Sequence, residues 1–530
     1  MLRRQFFGAG LFALLGFGIL GGGGTAMAED KAYMPIWTNG TPGTIVVTDP
    51  KYGAYGDGVH DDWAAIQAAI DDAGAAGGGS VILSSNAKFL ISASLTFNNP
   101  GVSLGGSAPA TLRYGESAGV ATIVPNGNFS VFVINNAAHN TRLHDMNILP
   151  NATPTSGWVI EAIGSSGTYL NGPVIENVLA DGVYGGMSWS YVQGAIVKNL
   201  TLQGTNGPTG FSASDCTLCS LSDVIVAQGA AGDAYSWTNC SSFYSFNLAA
   251  DGSNSVVTSG MVLNTQTDSD FYSLQLNGTS GTQLVLQDCA DVRFHQPYIY
   301  DGLSHGINIV DSGHVSVTGG YLLDNDGSAV LVNTSSGNSG DVNITGAEIN
   351  GKGTAADALI ATSGNVYHFN VTGCILNGGG VKDYCISDQS TYSPPNNSFV
   401  GNTCVNYATK GITIGYNWNV SVVGNQGHNP VGFLTPAASP YPSGTAYQNT
   451  YGVDITIYQP AYATASGTAG TVQVGLAASG SSTTNVFTQQ ISGSSTSTAP
   501  DIVTIRVPAG WTFKFTATGA TLANATIQGE

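Results

Sequence analysis

The sequence predicts an all-β fold: a right-handed parallel β-helix with an N-terminal capping helix and a small C-terminal β-sandwich-like domain. The first observation is a column of glycines that recurs every 23 to 28 residues: Gly319, Gly346, Gly373, Gly401 and Gly424. The second is a polar residue followed by glycine, which recurs every 22 to 26 residues from Asp181-Gly182 to Lys352-Gly353. Two columns with a common period indicate a solenoid of stacked repeats.

The content of each repeat indicates which solenoid this is. Short alternating runs such as Ile307-Asn308-Ile309 are separated by Gly, Asn and Asp turns, with no helix-length segment between them. The frame of a leucine-rich repeat is absent, and a propeller blade needs about 40 residues or more. A coil of two or three short strands fits a parallel β-helix, whose neighbouring coils lie about 4.8 Å apart.

We divide the chain into four segments. Residues 1–28 have the pattern of an export signal, with Arg3-Arg4, a glycine-rich apolar run and then Ala26-Met27-Ala28 as a cleavage site. The arginine pair is typical of a twin-arginine signal, which predicts a periplasmic or secreted protein. Residues 29–430 form the predicted β-helix, and the proline-rich stretch 431–450 forms a linker.

The last segment, 451–530, predicts a small antiparallel β domain. Alternating apolar residues mark strands at 472–474, 502–507 and 511–515. Pro508-Ala509-Gly510 lies between the last two and predicts a hairpin-like turn that joins them.

Composition excludes several classes of partner. Lysine and arginine number 14 against 33 aspartates and glutamates, which gives the chain a formal net charge of −19. Such an acidic surface argues against nucleic acid and anionic membranes as partners. The seven cysteines cannot all pair, and Cys216-x-x-Cys219 lacks a second pair at zinc spacing, so we expect buried packing thiols and no metal site. No cofactor is predicted, although Asp268-Ser269-Asp270 could hold calcium.

The segment from 44 to 95 predicts a cap for the open end of the solenoid. A glycine-rich turn over 51–58 is followed by Asp61-Asp62, which favour the start of a helix. Trp63, Ile66 and Ile70 form the apolar stripe of that helix, and the three glycines at 77–79 end it. Because a solenoid exposes unpaired backbone and apolar core at its ends, an amphipathic helix there covers them.

The run YGAYGDGVHDDWAAIQAAIDDAGAAGGGSVIL, residues 52–83, resembles the N-terminal segment of the pectate-lyase-like superfamily of right-handed parallel β-helix proteins. That superfamily includes polysaccharide lyases, polygalacturonases and phage tailspikes. The resemblance implies the fold and a polysaccharide as the substrate, and it leaves the reaction open. We expect Asp57, Asp61 and Asp62 within the run to be structural.

The polar-glycine column also provides candidate catalytic carboxylates. Glycoside hydrolysis needs a carboxylic acid and a second carboxylate on either side of the scissile bond. We expect Asp301 and Asp326 in adjacent coils of one column, with Asp324 two residues earlier, and we predict these three as catalytic. Asn325-Asp326-Gly327 looks like the Asn-x-Asp-Gly pattern of polygalacturonases, and the segment around His305 is similar to their Gly-His-Gly.

The chain departs from the polygalacturonase pattern at two places. The aspartate pair of the next coil is missing, because Asn350-Gly351-Lys352-Gly353 stands there. In addition, the histidine segment precedes the Asn-x-Asp segment instead of following it. These departures leave open a polysaccharide lyase and a non-catalytic glycan-binding spike, in which three copies could associate.

Substrate-binding residues are predicted around the same aspartates. The chain is poor in arginine, so an arginine next to this column could orient a sugar or a catalytic acid. A lyase would instead use Arg293, Lys352 or a histidine as the base. The predicted substrate-binding residues are Arg293, His295, His305, Tyr298, Tyr300, Asp251 and Lys352. The sequence thus predicts an exported polysaccharide-degrading enzyme, in the first instance a glycoside hydrolase.

Overall fold

The coils of a parallel β-helix form the main part of the computed structural model. Each coil contributes strands to three parallel ladders, which we number in the order in which a coil visits them; the third ladder has 13 strands. The described residues are 43–108, 119–228, 232–252, 257–352, 358–415, 420–428, 433–434, 441, 443–449, 454–478, 483–496, 498–508 and 510–529. The predicted parallel β-helix is confirmed.

The strands of the ladders are short and evenly stacked. The first ladder contains Thr44–Val46, Gly79–Leu83, Val102–Gly106, Thr267–Tyr272, Ala290–His295, Gly313–Thr318, Ser339–Gly340, Asn343–Thr345, Val366–Tyr367, Asn370–Thr372, Ser398–Val400 and Ser421–Val423. The second contains Asp57–Asp61, Lys88–Ile91, Ala121–Pro125, Gln275–Asn277, Tyr298–Tyr300, Tyr321–Asn325, Glu348–Gly351, Ile375–Asn377 and Thr403–Val405. Five longer strands run through both: Arg142–Ile148, Val174–Asp181, Ile196–Thr205, Ser220–Gln228 and Tyr244–Asp251.

The third ladder is one continuous sheet. Its strands are Leu95–Phe97, Phe132–Asn135, Trp158–Ile163, Gly185–Ser190, Thr209–Ser214, Gly232–Thr238, Val257–Asn264, Leu284–Gln287, Ile307–Val310, Val330–Asn333, Ile360–Gly364, Tyr384–Ser390 and Lys410–Ile414. A separate short pair is formed by Leu170–Asn171 and Val192–Gln193.

The corner between the first and second ladders explains the glycine column. One residue per coil turns the chain there with a positive φ, a conformation that glycine adopts without strain. The five column glycines have φ values of 63° to 66°. Earlier coils use short polar residues: Asn177 donates from Nδ2 to Asp145 Oδ1 at 2.9 Å, and Asn199 donates to Asn177 Oδ1 at 2.9 Å. The predicted column is therefore a stack of left-handed corners.

The core is a continuous apolar column along the solenoid. Trp237, Phe271 and Phe294 stack in sequence, with ring centroids 5.8 and 5.0 Å apart. Trp189, Tyr235 and Trp237 are buried, so none of them is a platform for a sugar. All seven cysteines are buried free thiols, as predicted.

The N-terminal cap is a helix over Trp63–Ala75 whose inner face buries Ile66 and Ile70. Asp62 turns its carboxylate back and accepts the backbone N–H groups of Tyr55 at 2.6 Å and Gly56 at 3.0 Å. This aspartate therefore fixes the turn before the helix, which is the structural role expected for it.

The C-terminal strands form two antiparallel sheets around a second apolar core. One sheet contains Phe433–Leu434, Thr526–Gly529, Ile455–Ala463, Asp501–Val507 and Ala520–Leu522. The other contains Ala446–Gln448, Thr512–Thr518, Gly470–Ala477 and Thr484–Ile491. The predicted hairpin at 508–510 is wrong, because the strands on either side of it belong to different sheets. Alternation alone shows that two strands are consecutive, and it does not show that they pair.

The predicted export signal, 1–28, lies outside the described residues. Within the described part of the chain, no helix is long and apolar enough to cross a membrane.

Replacing Phe271 by alanine should lower the free energy of unfolding by about 3–5 kcal/mol, because it opens a cavity between two stacked rings. Phe246 lies outward on the preceding first-ladder strand and is 56% exposed. Phe246→Ala should therefore change stability by less than about 0.5 kcal/mol. Chemical denaturation followed by tryptophan fluorescence compares the two variants. Equal destabilisation would contradict the assignment of the aromatic stack to the core.

Candidate active site

The register of the second ladder, and not the Asp-Gly repeat of the sequence, determines which aspartates are neighbours. Tyr300 pairs with Asn277 in the preceding coil and with Leu323 in the following one. Asp301 follows Tyr300 and Asp324 follows Leu323, so these two aspartates lie level in adjacent coils. The Asp301 N–H donates to Leu323 O at 3.2 Å. The expectation that Asp301 and Asp326 share one column is wrong.

Asp301 and Asp324 occupy a strained backbone position. Their φ values are 61° and 56°, and Gly278 of the preceding coil occupies the same level with φ 68°. A non-glycine residue in this region costs on the order of 1 kcal/mol, and aspartate is among the residues that tolerate it best. Both side chains project from the ends of second-ladder strands and are exposed.

Two buried amides hold the turn that carries Asp301. Gln283 donates from Nε2 to the carbonyl of Tyr300 at 2.6 Å, and Asn325 Oδ1 accepts the N–H of Gly302 at 3.2 Å. Gln283 is fully buried and Asn325 is 1% exposed. The backbone on both sides of Asp301 is thus fixed from inside the solenoid.

Lys352 joins the aspartates into one cluster, here called the carboxylate cluster: Asp301, Asp324, Asp326 and Lys352. Its ammonium group lies 2.6 Å from Asp301 Oδ1, two coils away, so its side chain crosses the coil that carries Asp324 and Asp326. The hydrogen bond to Asp301, with the charges of all three aspartates, raises the pKa of Lys352 above its usual value. Lys352 therefore remains a cation at neutral pH.

A second lysine lies beneath the cluster. Lys382 is fully buried, and its Nζ donates to the backbone carbonyl of Asp326 at 2.5 Å. Its stem passes beside Gly351, where an added Cβ would lie 2.8 Å from Lys382 Cγ. The residue before Lys352 must therefore be small for the buried Lys382 side chain to reach the aspartate turn.

Aromatic rings line the approach to the cluster along the second ladder. Tyr298 and Tyr300 project outward with centroids 4.7 Å apart, and Tyr321 of the next coil meets Tyr298 at 5.9 Å. Asp251 is two coils earlier, at the level of Tyr300, and Asn277 between them donates to Asp251 Oδ1 at 3.4 Å. These predicted binding residues form one strip with the carboxylate cluster.

His305 lies in the loop after Asp301. Its Nδ1 accepts the backbone N–H of Ser328 at 3.0 Å, and an added Cβ at Gly327 would come within 2.8 Å of the same nitrogen. The imidazole thus links the two loops that carry Asp301 and Asp326.

Arg293 and His295 project from the first ladder, around the corner from the tyrosines. Arg293 Nη1 lies 3.3 Å from Asp270 Oδ2 and 3.7 Å from Asp268 Oδ1. His295 Nε2 lies 3.3 Å from Asp270 Oδ1, and its ring stacks on Tyr272 at 4.4 Å. Burial, with the nearby Asp270 charge, raises the pKa of Tyr272. These residues form a separate group, the Arg293 group.

The segment Asp268-Ser269-Asp270, considered for calcium, directs its carboxylates elsewhere. The carboxylates of Asp268 and Asp270 both face Arg293. Among the described residues, no three His, Cys, Asp or Glu side chains come together as a metal ion requires.

Sequence reasoning missed the supporting residues Gln283, Asn325 and Lys382. Asn325 could have been found, because it stands between two candidate aspartates. Gln283 and Lys382 lie 18 residues before Asp301 and 56 residues after Asp326. Only the stacking of coils brings them under the site.

The fold is similar to two solved structures from Azotobacter vinelandii. The A-module of the mannuronan C-5 epimerase AlgE6 matches with a TM-score of 0.53 and 19% identity, over 73% of this chain and 100% of that module. The A-module of the mannuronan C-5 epimerase AlgE4 matches with 0.52 and 18%, over 71% and 99%. No protein-family model matches the sequence, and no curated protein matches it. At these identities the likeness concerns the fold, which is the parallel β-helix.

The two lysines should respond differently to replacement by methionine. Lys382→Met leaves the part-buried carbonyl of Asp326 without this donor and should cost about 1–3 kcal/mol. Lys352 and Asp301 are 51% and 54% exposed, so solvent screens their ion pair and Lys352→Met should cost less than about 1 kcal/mol. Urea denaturation of both variants tests the contrast. A larger loss for Lys352→Met would contradict the burial of Lys382.

Proposed function

We propose that this protein is an exported glycoside hydrolase that cleaves a polysaccharide at the carboxylate cluster. The observation that carries the proposal is the convergence of Asp301, Asp324 and Asp326 around Lys352, at the end of a strip of tyrosines. Paired carboxylates are what glycoside hydrolysis requires. The polysaccharide itself is proposed by analogy of fold, since both epimerases are named for mannuronan.

The ion pair suggests how the roles divide. Lys352 remains protonated and hydrogen-bonds to Asp301, which favours Asp301 as the carboxylate that activates water or attacks the sugar. Asp324 lies level with Asp301 in the adjacent coil, about 4.8 Å away along the solenoid, and is assigned as the proton donor to the leaving oxygen. Asp326 is assigned to substrate hydroxyl groups beside them.

The tyrosine strip fits a sugar chain. Aromatic faces offer an apolar surface with a polar hydroxyl at the edge, and sugar rings present the complementary pattern of C–H faces and hydroxyl edges. Tyr298, Tyr300 and Tyr321 span two coils directly before the carboxylates. A sugar chain that lies along the strand direction, across these two coils, would pass from these rings onto Asp301 and Asp324.

Proton abstraction, as in a lyase or epimerase, is the second candidate. Lys352 is a poor base because its pKa is raised, and Arg293 pairs with two carboxylates. His295 is the remaining base candidate, since Asp270 is positioned to orient its imidazole and Arg293 carries a charge that a uronate would need. This observation favours the Arg293 group as the site if the substrate is acidic.

Asp301→Asn and Asp324→Asn should each lower the rate of polysaccharide cleavage by about 100-fold or more, because each removes a general acid, base or nucleophile. Asparagine tolerates positive φ, so the backbone should be retained. Asp223→Asn is the matched control, since Asp223 also has a positive φ of 54° but lies on the corner column.

Release of reducing ends from neutral and acidic polysaccharides measures the effect. Full activity in both variants would overturn the assignment of this site. Ultraviolet-absorbing unsaturated products, lost in His295→Gln, would transfer the function to the Arg293 group. Binding of the polysaccharides with no product would contradict an enzymatic function.

A further inference from the structure

A second constellation of side chains lies several coils closer to the N-terminus. Ser103 projects outward from the first-ladder strand Val102–Gly106, and His144 and Asp145 lie on the next coil. Ser103 Oγ is 3.1 Å from His144 Nε2, and His144 Nδ1 is 2.8 Å from Asp145 Oδ2. A hydroxyl, an imidazole and a carboxylate are therefore joined in order, at the distances that an activated nucleophile requires.

The carboxylate end of this relay is fixed by the corner stack. Asp145 has a positive φ of 54° and accepts a hydrogen bond from Asn177 Nδ2 at 2.9 Å on its other oxygen. The nitrogen that faces the carboxylate carries the proton, so Nδ1 of His144 donates and Nε2 accepts the hydroxyl proton of Ser103. This is the tautomer in which imidazole acts as a base toward serine.

The backbone beneath the ring leaves room for this arrangement. Gly105 pairs with His144 in the ladder, and a Cβ at Gly105 would overlap the imidazole. Ser103 is 7% exposed and the His144 side chain 12% exposed, so only a slim group can reach the hydroxyl. Arg142 is the ladder partner of Ser103, and its guanidinium binds Glu176 of the following coil through Nε and Nη2.

We propose that Ser103, His144 and Asp145 form a second active site, an esterase that removes small acyl groups, such as acetyl, from the hydroxyls of a glycan. The glycan part of the substrate rests on the proposed function, whereas the ester chemistry does not. The two sites lie about six coils apart, or roughly 30 Å along the solenoid. They would act on different bonds of one bound polymer.

The reaction proceeds through an acyl-enzyme. Ser103 Oγ attacks the ester carbonyl carbon while its proton passes to His144 Nε2, and the carbonyl oxygen becomes an oxyanion. When the carbonyl re-forms, the bond to the sugar oxygen breaks and that oxygen takes the proton from Nε2. Water then attacks the acyl-serine, gives a proton to Nε2, and releases the carboxylic acid as the proton returns to Ser103 Oγ. Asp145 acts as a positioning residue by holding the imidazole.

Two readouts on the full-length protein test the site. A fluorophosphonate probe should label Ser103, identified by mass spectrometry, and 4-nitrophenyl acetate should be hydrolysed faster than the octanoate ester. Ser103→Ala should abolish the labelling and reduce acetate-ester hydrolysis to background. Ser222→Ala is the control, because Ser222 also projects outward from the first ladder and its neighbours in the ladder are Lys198 and Phe246 instead of a histidine.

The positioning role of Asp145 has its own test. Asp145→Asn should lower kcat by about 100-fold or more with KM unchanged, because the amide cannot hold the same tautomer. Its melting temperature should match that of Asp223→Asn, the equivalent change on the same corner stack. No labelling of Ser103, or equal hydrolysis by Ser103→Ala, would overturn the proposal. Reducing-end release should be unaffected by Ser103→Ala, so failure of this site and failure of the hydrolase site are distinguishable.

Discussion

The hydrogen bonding between coils is the constraint on which the rest of the structure depends. Strands within the ladders bond to one strand above and one below, so neighbouring coils are held about 4.8 Å apart and side chains alternate between core and surface. A slip of one residue would exchange the two faces. Differences in coil length are therefore taken up in the loops between strands, such as 301–306 between the second and third ladders. The carboxylate cluster lies at the beginning of these loops, where a rigid strand meets a segment of variable length.

The corner positions with positive φ place short polar side chains at fixed points on the regularly stacked coils. Glycine fills this conformation in the later coils, whereas aspartate and asparagine fill it in the earlier ones and bond to each other along the stack. The same tolerance for short polar residues places Asp301 and Asp324 where Gly278 stands one coil earlier. In both candidate sites a carboxylate thus occupies a backbone position that excludes most larger residues, and its direction is fixed by the chain.

The sequence predicted what depends on period and local conformation. The glycine column, the capping helix and the antiparallel strands at the C-terminus all follow from such signals. It did not predict the pairing of Asp301 with Asp324, because Asp-Gly indicates that a chain bends and does not indicate the rung on which it bends. Arg293 and His295 are separated from Tyr298 by the corner residue Gln296 and by Pro297. The pattern of polar residues in the sequence does not show that the chain turns at this corner.

The burial of Lys382 could not be predicted for a different reason. Its partner lies two coils away, and lysine is rarely buried unless it is paired. The relay of Ser103, His144 and Asp145 is likewise spread over two coils, and Ser103 and His144 are 41 positions apart in the sequence, too far for any local motif. Contacts of this kind appear only after the coils are stacked.

The crossing of Lys352 over a whole coil has a consequence for how such a protein can change. Each coil turns through its own corners and bonds only to the coils beside it. If one coil were removed or duplicated, the strands of its neighbours would still have strands to pair with. The ion pair between Lys352 and Asp301 would not survive, because it requires one intervening coil and no more. The site therefore depends on the order of the coils as well as on their content, and recombination between repeats would separate Lys352 from Asp301 while the remaining coils still stack.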